Sequence, residues 1–342
     1  MRLIYKALVF VSILCCTAGK TYSQDMQLSQ FDAAPLFFNP ALSGNFDGIH
    51  RFIGNYKSQW KTYNTGLFSY DRMLPDKITY GGGKFGIGGM VTWDKAGEIG
   101  YGYTQVHLMP SYHITVIPND VLFLSAGLDL SYTQNSLASD KVVLYYDQLG
   151  NPVYGSSFSE DLYYFDISAG VNAYTLYKGY PINLGLTLHH LAKPGKSPVS
   201  GGQIYNPRRF SINANTIVKV TENTAFLPSL IWINQKPSNQ VNLGTFFRYS
   251  FNKPPYAAYV GSWYRWGDAV IVGVALDFPG FKPNHLVNAG ISYDITASDY
   301  TSGVSNDNSK ISSNSIEFSI KYIIKKANFK YTPPAKLNPT NF

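Results

Sequence analysis

Apolar and polar residues alternate one by one along several segments of this chain. The clearest is 121–132, where one face is apolar and the other small or polar: Leu122, Leu124, Ala126, Leu128, Leu130 and Tyr132 against Ser125, Gly127, Asp129 and Ser131. Segments 165–173, 182–188 and 315–322 repeat the alternation. Successive side chains of a β-strand point to opposite faces, whereas a helix repeats every 3.6 residues. The pattern therefore predicts two-faced β-strands.

When segments with a less regular alternation are included, the pattern predicts fourteen strands, within a range of twelve to sixteen. They lie at 49–60, 65–71, 85–94, 101–113, 121–132, 165–176, 182–191, 210–220, 225–234, 241–249, 256–264, 268–277, 287–294 and 314–324. Their polar faces are rich in Gly, Ser and Asn rather than Lys and Glu, which disfavours a soluble β-sandwich. No segment after the first twenty-odd residues resembles a transmembrane helix, and a closed barrel is the other structure that satisfies the backbone within lipid. We predict an all-β fold, a transmembrane antiparallel β-barrel of the outer-membrane type.

The connections between these strands alternate in length. If the connections are numbered in chain order from the one after the first strand, the three longest, 133–164, 192–209 and 295–313, have odd numbers. Most connections with even numbers are short and contain turn-forming residues. The connection 72–84 is a longer exception. Outer-membrane barrels have short periplasmic turns and longer outer loops. With a periplasmic N-terminus as the starting point, the alternation therefore predicts short periplasmic turns and long loops outside the cell.

Large aromatic residues lie near predicted strand ends. They are Trp60, Trp93, Trp232, Trp263 and Tyr322. Aromatic side chains gather at both membrane interfaces. We therefore expect these residues to form the girdles of the barrel.

The first residues have the pattern of a secretory signal peptide. A basic start is followed by the apolar run 7–18, which is too short to cross a bilayer as a helix, since that needs about 20 residues. Small residues at 21–23 predict cleavage after Ser23, leaving Gln24 first. Cys15 and Cys16 are the two cysteines of the chain and lie within this run. We therefore expect a mature chain without disulfides or thiolate metal sites.

The two ends of the mature chain do not fit the strand pattern. Residues 24–48 contain two prolines and are expected to form a plug inside the barrel or a periplasmic segment. Residues 325–342 are basic and rich in proline, which predicts a periplasmic tail. The predicted organisation is a signal peptide at 1–23, the N-terminal segment at 24–48, the barrel at 49–324 and the tail.

Charge is sparse and scattered. Charged residues make up 14% of the chain, against about a quarter in soluble proteins. The whole chain has 28 basic and 21 acidic residues, and the signal peptide removes Arg2, Lys6 and Lys20, which leaves about +4. No basic block with interleaved aromatics is present, so we predict no nucleic-acid binding.

No catalytic arrangement stands out. The glycine-rich stretch 81–89 opens a strand rather than a helix, so it is no phosphate loop. His189 and His190 are adjacent, and in a strand they would point to opposite faces and could not share a metal. Asp129, Asp166 and Glu317 are expected to line the barrel interior as part of a charge network. We therefore predict no enzyme, no cofactor and no metal, and we assign no binding residues, because a surface on loops has no fixed spacing.

Several blocks of the sequence resemble the PorP/SprF family. They are Gln27–Phe31, Phe38–Gly44, Phe85–Gly89 with Asp94–Gly97, Gly185–Leu191 with Pro194, Ser292–Ile295 and Ser315–Glu317. They follow in order along almost the whole mature chain. One departure is Ile316, where the family often has His before the Glu.

The resemblance implies a non-enzymatic outer-membrane barrel of the type IX secretion system in Bacteroidetes. Such a protein would assist secretion or surface anchoring of cargo, including gliding adhesins. The implied partners are outer-membrane lipids, the translocon, periplasmic lipoprotein components and the C-terminal sorting domain of a cargo protein. Two other functions stay open: a passive porin or FadL-like transporter of hydrophobic or small solutes, and a purely structural outer-membrane protein.

Overall fold

The structure is a computed structural model. It describes residues 25–59, 63–75, 79–80, 82–97, 101–117, 122–136, 143–146, 152–154, 162–193, 206–236, 238–251, 255–282, 284–296 and 314–325. The predicted signal peptide, Trp60 and nearly all of the predicted tail lie outside these residues. None of the described helices has the length and hydrophobicity needed to cross a membrane.

Fourteen antiparallel strands form a closed barrel, which confirms the predicted fold. We number them in chain order as β1 His50–Gln59, β2 Tyr63–Met73, β3 Gly83–Ala96, β4 Tyr101–Ile117, β5 Leu122–Ser136, β6 Leu162–Tyr177, β7 Tyr180–His189, β8 Arg209–Thr216, β9 Thr224–Gln235, β10 Ser238–Ser250, β11 Ala257–Arg265, β12 Ala269–Pro279, β13 His285–Thr296 and β14 Ser315–Ile324. Each strand pairs with its neighbours in sequence, and β1 pairs with β14 to close the ring.

Four shorter strands accompany the barrel. Thr79–Tyr80 pairs with the start of β3, and Val218–Lys219 pairs with the start of β9. Val143–Tyr146 and Pro152–Tyr154 form a separate hairpin in the connection between β5 and β6. Val218–Lys219 lies at the end of the predicted strand 210–220, which the structure divides into β8 and this short strand. The sequence pattern did not predict the other three, because two to four residues are too few to establish a period of two.

The alternation of the sequence becomes the two surfaces of the barrel wall. In β5, every second residue from Phe123 to Thr133 is buried, and the apolar residues between them are exposed. β12 repeats this from Ala269 to Asp277. Exposed Val, Leu, Ile and aromatic side chains thus cover the outside, as lipid requires. The strands extend past the predicted apolar stretches by up to four residues, because backbone pairing continues beyond the lipid-facing band.

The two ends of the barrel differ. One end carries the connections 137–161, 190–208 and 297–314, and the other carries tight turns such as Lys178-Gly179 together with the start of β1 and the end of β14. Because long loops of outer-membrane barrels face the exterior, we call the first the outer end and the second the inner end.

Three short helices precede β1. They are the 3-10 helix Phe31–Ala33, the α-helix Pro35–Phe38 and the 3-10 helix Pro40–Leu42. Prolines start the last two, where their missing N–H costs no hydrogen bond. Nearly every residue from Met26 to Phe46 is buried, against side chains that face the barrel interior. We call residues 25–49 the N-terminal segment.

Trp263 corrects the prediction of the aromatic girdles. Trp93 is exposed on the outside as expected, but Trp263 is 5% exposed and faces inwards. Its ring packs edge-on against Phe31 and Phe246, and it covers the backbone of Gly244. Trp263 is therefore part of the interior core rather than of a membrane interface.

Candidate functional site

The N-terminal segment runs along the inside of the barrel from the outer end to the inner end. Asp25 contacts residues where β7 ends and β8 begins, at the outer end. Asn39 reaches the middle of β6, where its Nδ2 donates to the carbonyl of Val171 at 3.1 Å. Ile49 donates its N–H to Ile324 O at the inner end and continues into β1. The segment contacts the wall at three polar clusters.

The outer cluster consists of Asp25, Asp166, His190 and Arg209. His190 donates from Nε2 to Asp25 at 2.8 Å and from Nδ1 to Asp166, while Arg209 lies 2.9 Å from the same Asp25 carboxylate. A histidine that donates from both ring nitrogens is protonated. The cluster therefore joins two cations to two carboxylates, one of which belongs to the segment.

The charges of this cluster support one another. Burial alone would lower the pKa of His190, but the Asp25 and Asp166 carboxylates outweigh it and raise this pKa to about 9. Burial alone would raise the pKa of Asp25, but His190 and Arg209 hold it well below its usual value. The ion pairs are thus formed across the neutral pH range.

The middle cluster consists of Ser29, Lys57, Arg265, Asp294 and Glu317. The Asp294 carboxylate accepts from Ser29 Oγ at 2.6 Å and from Lys57 Nζ and Arg265 Nη1 at 3.2 Å each. Glu317 accepts the backbone N–H of Ser29 at 2.6 Å. All five residues are at most 4% exposed.

Two buried cations thus face two buried carboxylates in this cluster. Burying a charge is costly unless it is paired and hydrogen-bonded. The arrangement meets that condition, and part of its hydrogen bonding comes from the segment itself. The cluster therefore requires the segment in place.

The inner cluster is a bidentate ion pair between Arg51 and Asp71, contacted by Gly44 and Phe46 of the segment. Arg51 donates from Nε at 2.8 Å and from Nη2 at 2.7 Å to the two oxygens of Asp71, and both residues are fully buried. Gly44 donates its N–H to Asp71 at 2.7 Å and has φ +74°, a left-handed conformation that favours glycine. Phe46 packs its ring under the Arg51 guanidinium, 4.6 Å away.

Glycines in the wall let the segment approach the backbone of the strands. A Cβ at Gly127 of β5 would lie 2.5 Å from Ala41 N and from the Pro40 carbonyl. A Cβ at Gly170 of β6 would lie 2.1 Å from Asn39 Oδ1. The turn at Asn39-Pro40-Ala41 therefore packs directly on these two glycines, and a larger residue at either position would occupy its space.

The cavities found beside the described part of the segment are small. Three cavities that border it or its neighbours measure about 30, 20 and 70 Å³. A water molecule needs roughly 10–15 Å³ on this measure, whereas ligand pockets have about 300–1,000 Å³. None of the three has the size of a ligand pocket.

The structure places the acids singled out in the sequence on the inside of the wall. Asp129 lies 3.0 Å from His107 Nδ1, while Asp166 and Glu317 belong to the outer and middle clusters. The two histidines do not point to opposite faces, as we had expected for a strand: His190 follows the end of β7 with φ +59°, and it is buried inside the barrel together with His189. Among the described residues, no three His, Cys, Asp or Glu side chains are arranged to hold a metal.

Sequence reasoning missed most members of the clusters. Every second residue of a strand faces the same side of the wall. This alternation indicates an inward position for Lys57, Arg265 and Asp294. Their partners could not be found, because Ser29 is 265 positions from Asp294. Only the folded ring brings them together.

A family model described as "Type IX secretion system membrane protein PorP/SprF" matches residues 20–322. No curated protein matches the chain.

Solved structures share the barrel at low sequence identity. A FadL homologue from Pseudomonas aeruginosa is 11% identical with a TM-score of 0.52, covering 83% of this chain and 92% of that chain. The toluene transporter TodX of P. putida is 10% identical with a TM-score of 0.51, covering 85% and 93%. The monoaromatic hydrocarbon channel CymD is 12% identical with a TM-score of 0.51, covering 86% and 94%. This likeness shows the fold alone.

Proposed function

Because the chain belongs to the PorP/SprF family of type IX secretion system membrane proteins, we propose that it is a non-enzymatic outer-membrane component that assists secretion or surface anchoring of type IX cargo. Membership implies interaction with other secretion components, and the outer-membrane barrel fold is typical of non-enzymatic proteins. The finer assignment, to cargo such as gliding adhesins in a bacterium of the Bacteroidetes, is part of the proposal.

The observation that carries the proposal is the filled interior of the barrel. The N-terminal segment is held by ion pairs of Asp25 at the outer cluster and by hydrogen bonds from Ser29 and Gly44 to buried carboxylates at the middle and inner clusters. The cavities beside it have room for only a few waters. Such a barrel is suited to act as a closed anchor that keeps a fixed orientation in the membrane. Its outer loops would present a surface to cargo, as loops on a rigid scaffold commonly do.

The proposed contacts follow from the two ends. At the outer end, the long connections would bind the C-terminal sorting domain of a cargo protein. At the inner end, the turns and the basic tail would contact the translocon and periplasmic lipoprotein components. Residues 24–48 would serve as the plug, and cleavage after Ser23 would release the mature chain.

A deletion strain tests this proposal. Surface delivery of type IX cargo would be scored by protease accessibility in intact cells, beside a strain that carries the gene on a plasmid. We expect loss of delivery in the deletion and recovery in the complemented strain. Normal delivery of every type IX cargo without the gene would contradict the proposal and leave a structural role.

A transporter is the second candidate, since the solved barrels of the same fold include one described as a toluene transporter. Planar-bilayer recording of the purified protein separates the two functions. A closed anchor gives no steady conductance, whereas a constantly open pore would count against the proposal.

A further inference from the structure

Among the described residues, the charged side chains inside the barrel include both signs, whereas the exposed ones are mostly basic. The acidic residues of the strands that face the interior include Asp71, Asp129, Asp166, Asp277, Asp294 and Glu317, all buried. The exposed charged residues at the strand ends and turns are mainly basic and include Lys95, Lys178, Lys193, Lys219 and Lys282. The exposed charge among the described residues is therefore mostly positive, which favours anionic groups of the surrounding membrane.

At one point of the outer end, two basic residues flank adjacent strands: Arg208 directly precedes β8 and Lys236 directly follows β9. The ladder between β8 and β9 ends at the pair Arg209 and Gln235, both buried inside the barrel. One step further along the same register are Arg208 and Lys236, both exposed. Residues opposite each other on adjacent strands lie about 4.5–5.5 Å apart. Continued by one step, the register therefore places these two exposed residues near each other at the outer rim of the barrel.

No acid neutralises this patch among the residues that the structure describes. The carboxylate beside it, Asp25, is directed to Arg209 inside the barrel. Neither Arg208 nor Lys236 forms an ion pair with a described residue. The two positive charges are thus available to an external anion.

Aromatic side chains lie directly below the patch on the lipid-facing side. Phe210 is the second residue of β8, two positions after Arg208, and Trp232 lies in β9, four positions before Lys236. Their rings pack edge-on with centroids 5.7 Å apart, and Trp232 Nε1 donates to Asn239 at 2.5 Å. A tryptophan with its N–H satisfied and its ring against apolar neighbours is typical of a membrane interface. The basic pair therefore lies at headgroup depth, above an apolar surface.

We propose that Arg208 and Lys236 form a binding site for the phosphate of a phosphorylated glycolipid of the outer leaflet, whose acyl chains lie along Phe210 and Trp232. The guanidinium offers a planar fork that matches two phosphate oxygens, and the lysine adds a point charge. An amphiphile fits better than free phosphate, because the apolar surface lies immediately below the charges. The proposal depends on which end is outer and not on the secretion role.

Binding of bisphosphorylated lipid A to the purified full-length barrel in detergent tests the site. Native mass spectrometry would measure the affinity of the wild type, the double variant R208Q/K236Q and a control, K178Q/K282Q, which removes two exposed bases at inner-end turns. We expect at least a tenfold weaker affinity for R208Q/K236Q and an unchanged affinity for the control. Circular dichroism and resistance to heat in SDS check that each variant is folded.

Three further ligands identify the chemistry. Dephosphorylated lipid A, phosphatidylglycerol and inorganic phosphate should each bind the wild type at least tenfold more weakly than lipid A. Equal affinity of R208Q/K236Q and wild type, or an equal loss in the control, would overturn the site. Equal binding of phosphatidylglycerol would overturn the glycolipid as its ligand.

Discussion

Asp294 is the carboxylate that two buried cations share. Lys57 and Arg265 both point to its carboxylate, and Arg265 makes a second ion pair with Asp268 at 3.1 Å. The two acids differ in environment, since the side chain of Asp294 is 3% exposed and that of Asp268 is 41% exposed. One arginine thus provides a buried pair and a surface pair for comparison.

Asp294→Asn is expected to destabilise the protein by about 3–5 kcal/mol, because it leaves two cations without their shared buried carboxylate. Asp268→Asn is the control and should cost about 1 kcal/mol or less, as surface pairs do. Urea unfolding in detergent or lipid measures both. Equal effects of the two substitutions would show that the buried carboxylate of Asp294 stabilises the protein no more than the exposed one of Asp268.

His190 makes the outer cluster sensitive to pH. Its folded pKa of about 9 lies above the unfolded value near 6.5. A raised histidine pKa contributes stability that is complete below pH 6.5 and is lost as the pH rises through 9. The lowered pKa of Asp25 adds stability above pH 4 that is lost in stronger acid.

Between pH 6.5 and 10, hydrogen exchange of Met26 to Gln30, corrected for the intrinsic rate, should therefore accelerate in the wild type. His190→Gln should exchange faster at pH 6.5 and show a much weaker pH dependence. His285→Gln, at the inner end, serves as the control and should behave as the wild type. Wild-type exchange that is flat across this range would contradict the charged form of His190.

At the scale of elements, the strands were predictable and the path of the N-terminal segment was not. The one-by-one alternation determines which residues of β5 or β12 face lipid, and about ten residues of sequence are enough to recognise it. Trp263 shows the limit of this prediction. It lies on the same side of its strand as Tyr259 and Arg265, which indicates an inward position, whereas its place near a strand end suggested an aromatic girdle. The room for its ring comes from Gly244 on the neighbouring strand, and such pairings arise only when the ring closes.

The fit between the segment and the wall depends on glycine in β5. Gly127→Leu would place a side chain where Pro40 and Ala41 now lie, so we expect the segment to be displaced. Gly89→Leu is the matched control, because an added Cβ there lies 3.7 Å from its nearest neighbour, the carbonyl of His107, and makes ordinary contact.

Two measurements report this displacement. Trypsin or subtilisin should cleave the segment faster in Gly127→Leu than in the wild type, and planar bilayers should show a new conductance. Gly89→Leu should change neither. A folded Gly127→Leu barrel that shows no conductance and is cleaved no faster than the wild type would mean that the segment is not held by packing on Gly127.

At the scale of the whole molecule, every proposed contact depends on orientation. The long connections define the outer end, the N-terminal segment enters there beside Asp25, and it leaves at the inner end through Ile49. Lys193 stands at the outer end and Lys178 at an inner turn, and both side chains are exposed. The two positions therefore report opposite sides of the membrane.

Cysteine labelling in intact cells tests this orientation with little background, since Cys15 and Cys16 are the chain's two cysteines and precede the described residues. A membrane-impermeant maleimide should label Lys193→Cys in intact cells and Lys178→Cys only after the outer membrane is permeabilised. Both variants replace an exposed residue, so both should fold, and the unsubstituted protein measures the background. Labelling in the reverse order would invert the barrel: the long loops would then face the periplasm, and the cargo surface and the glycolipid site would both be lost.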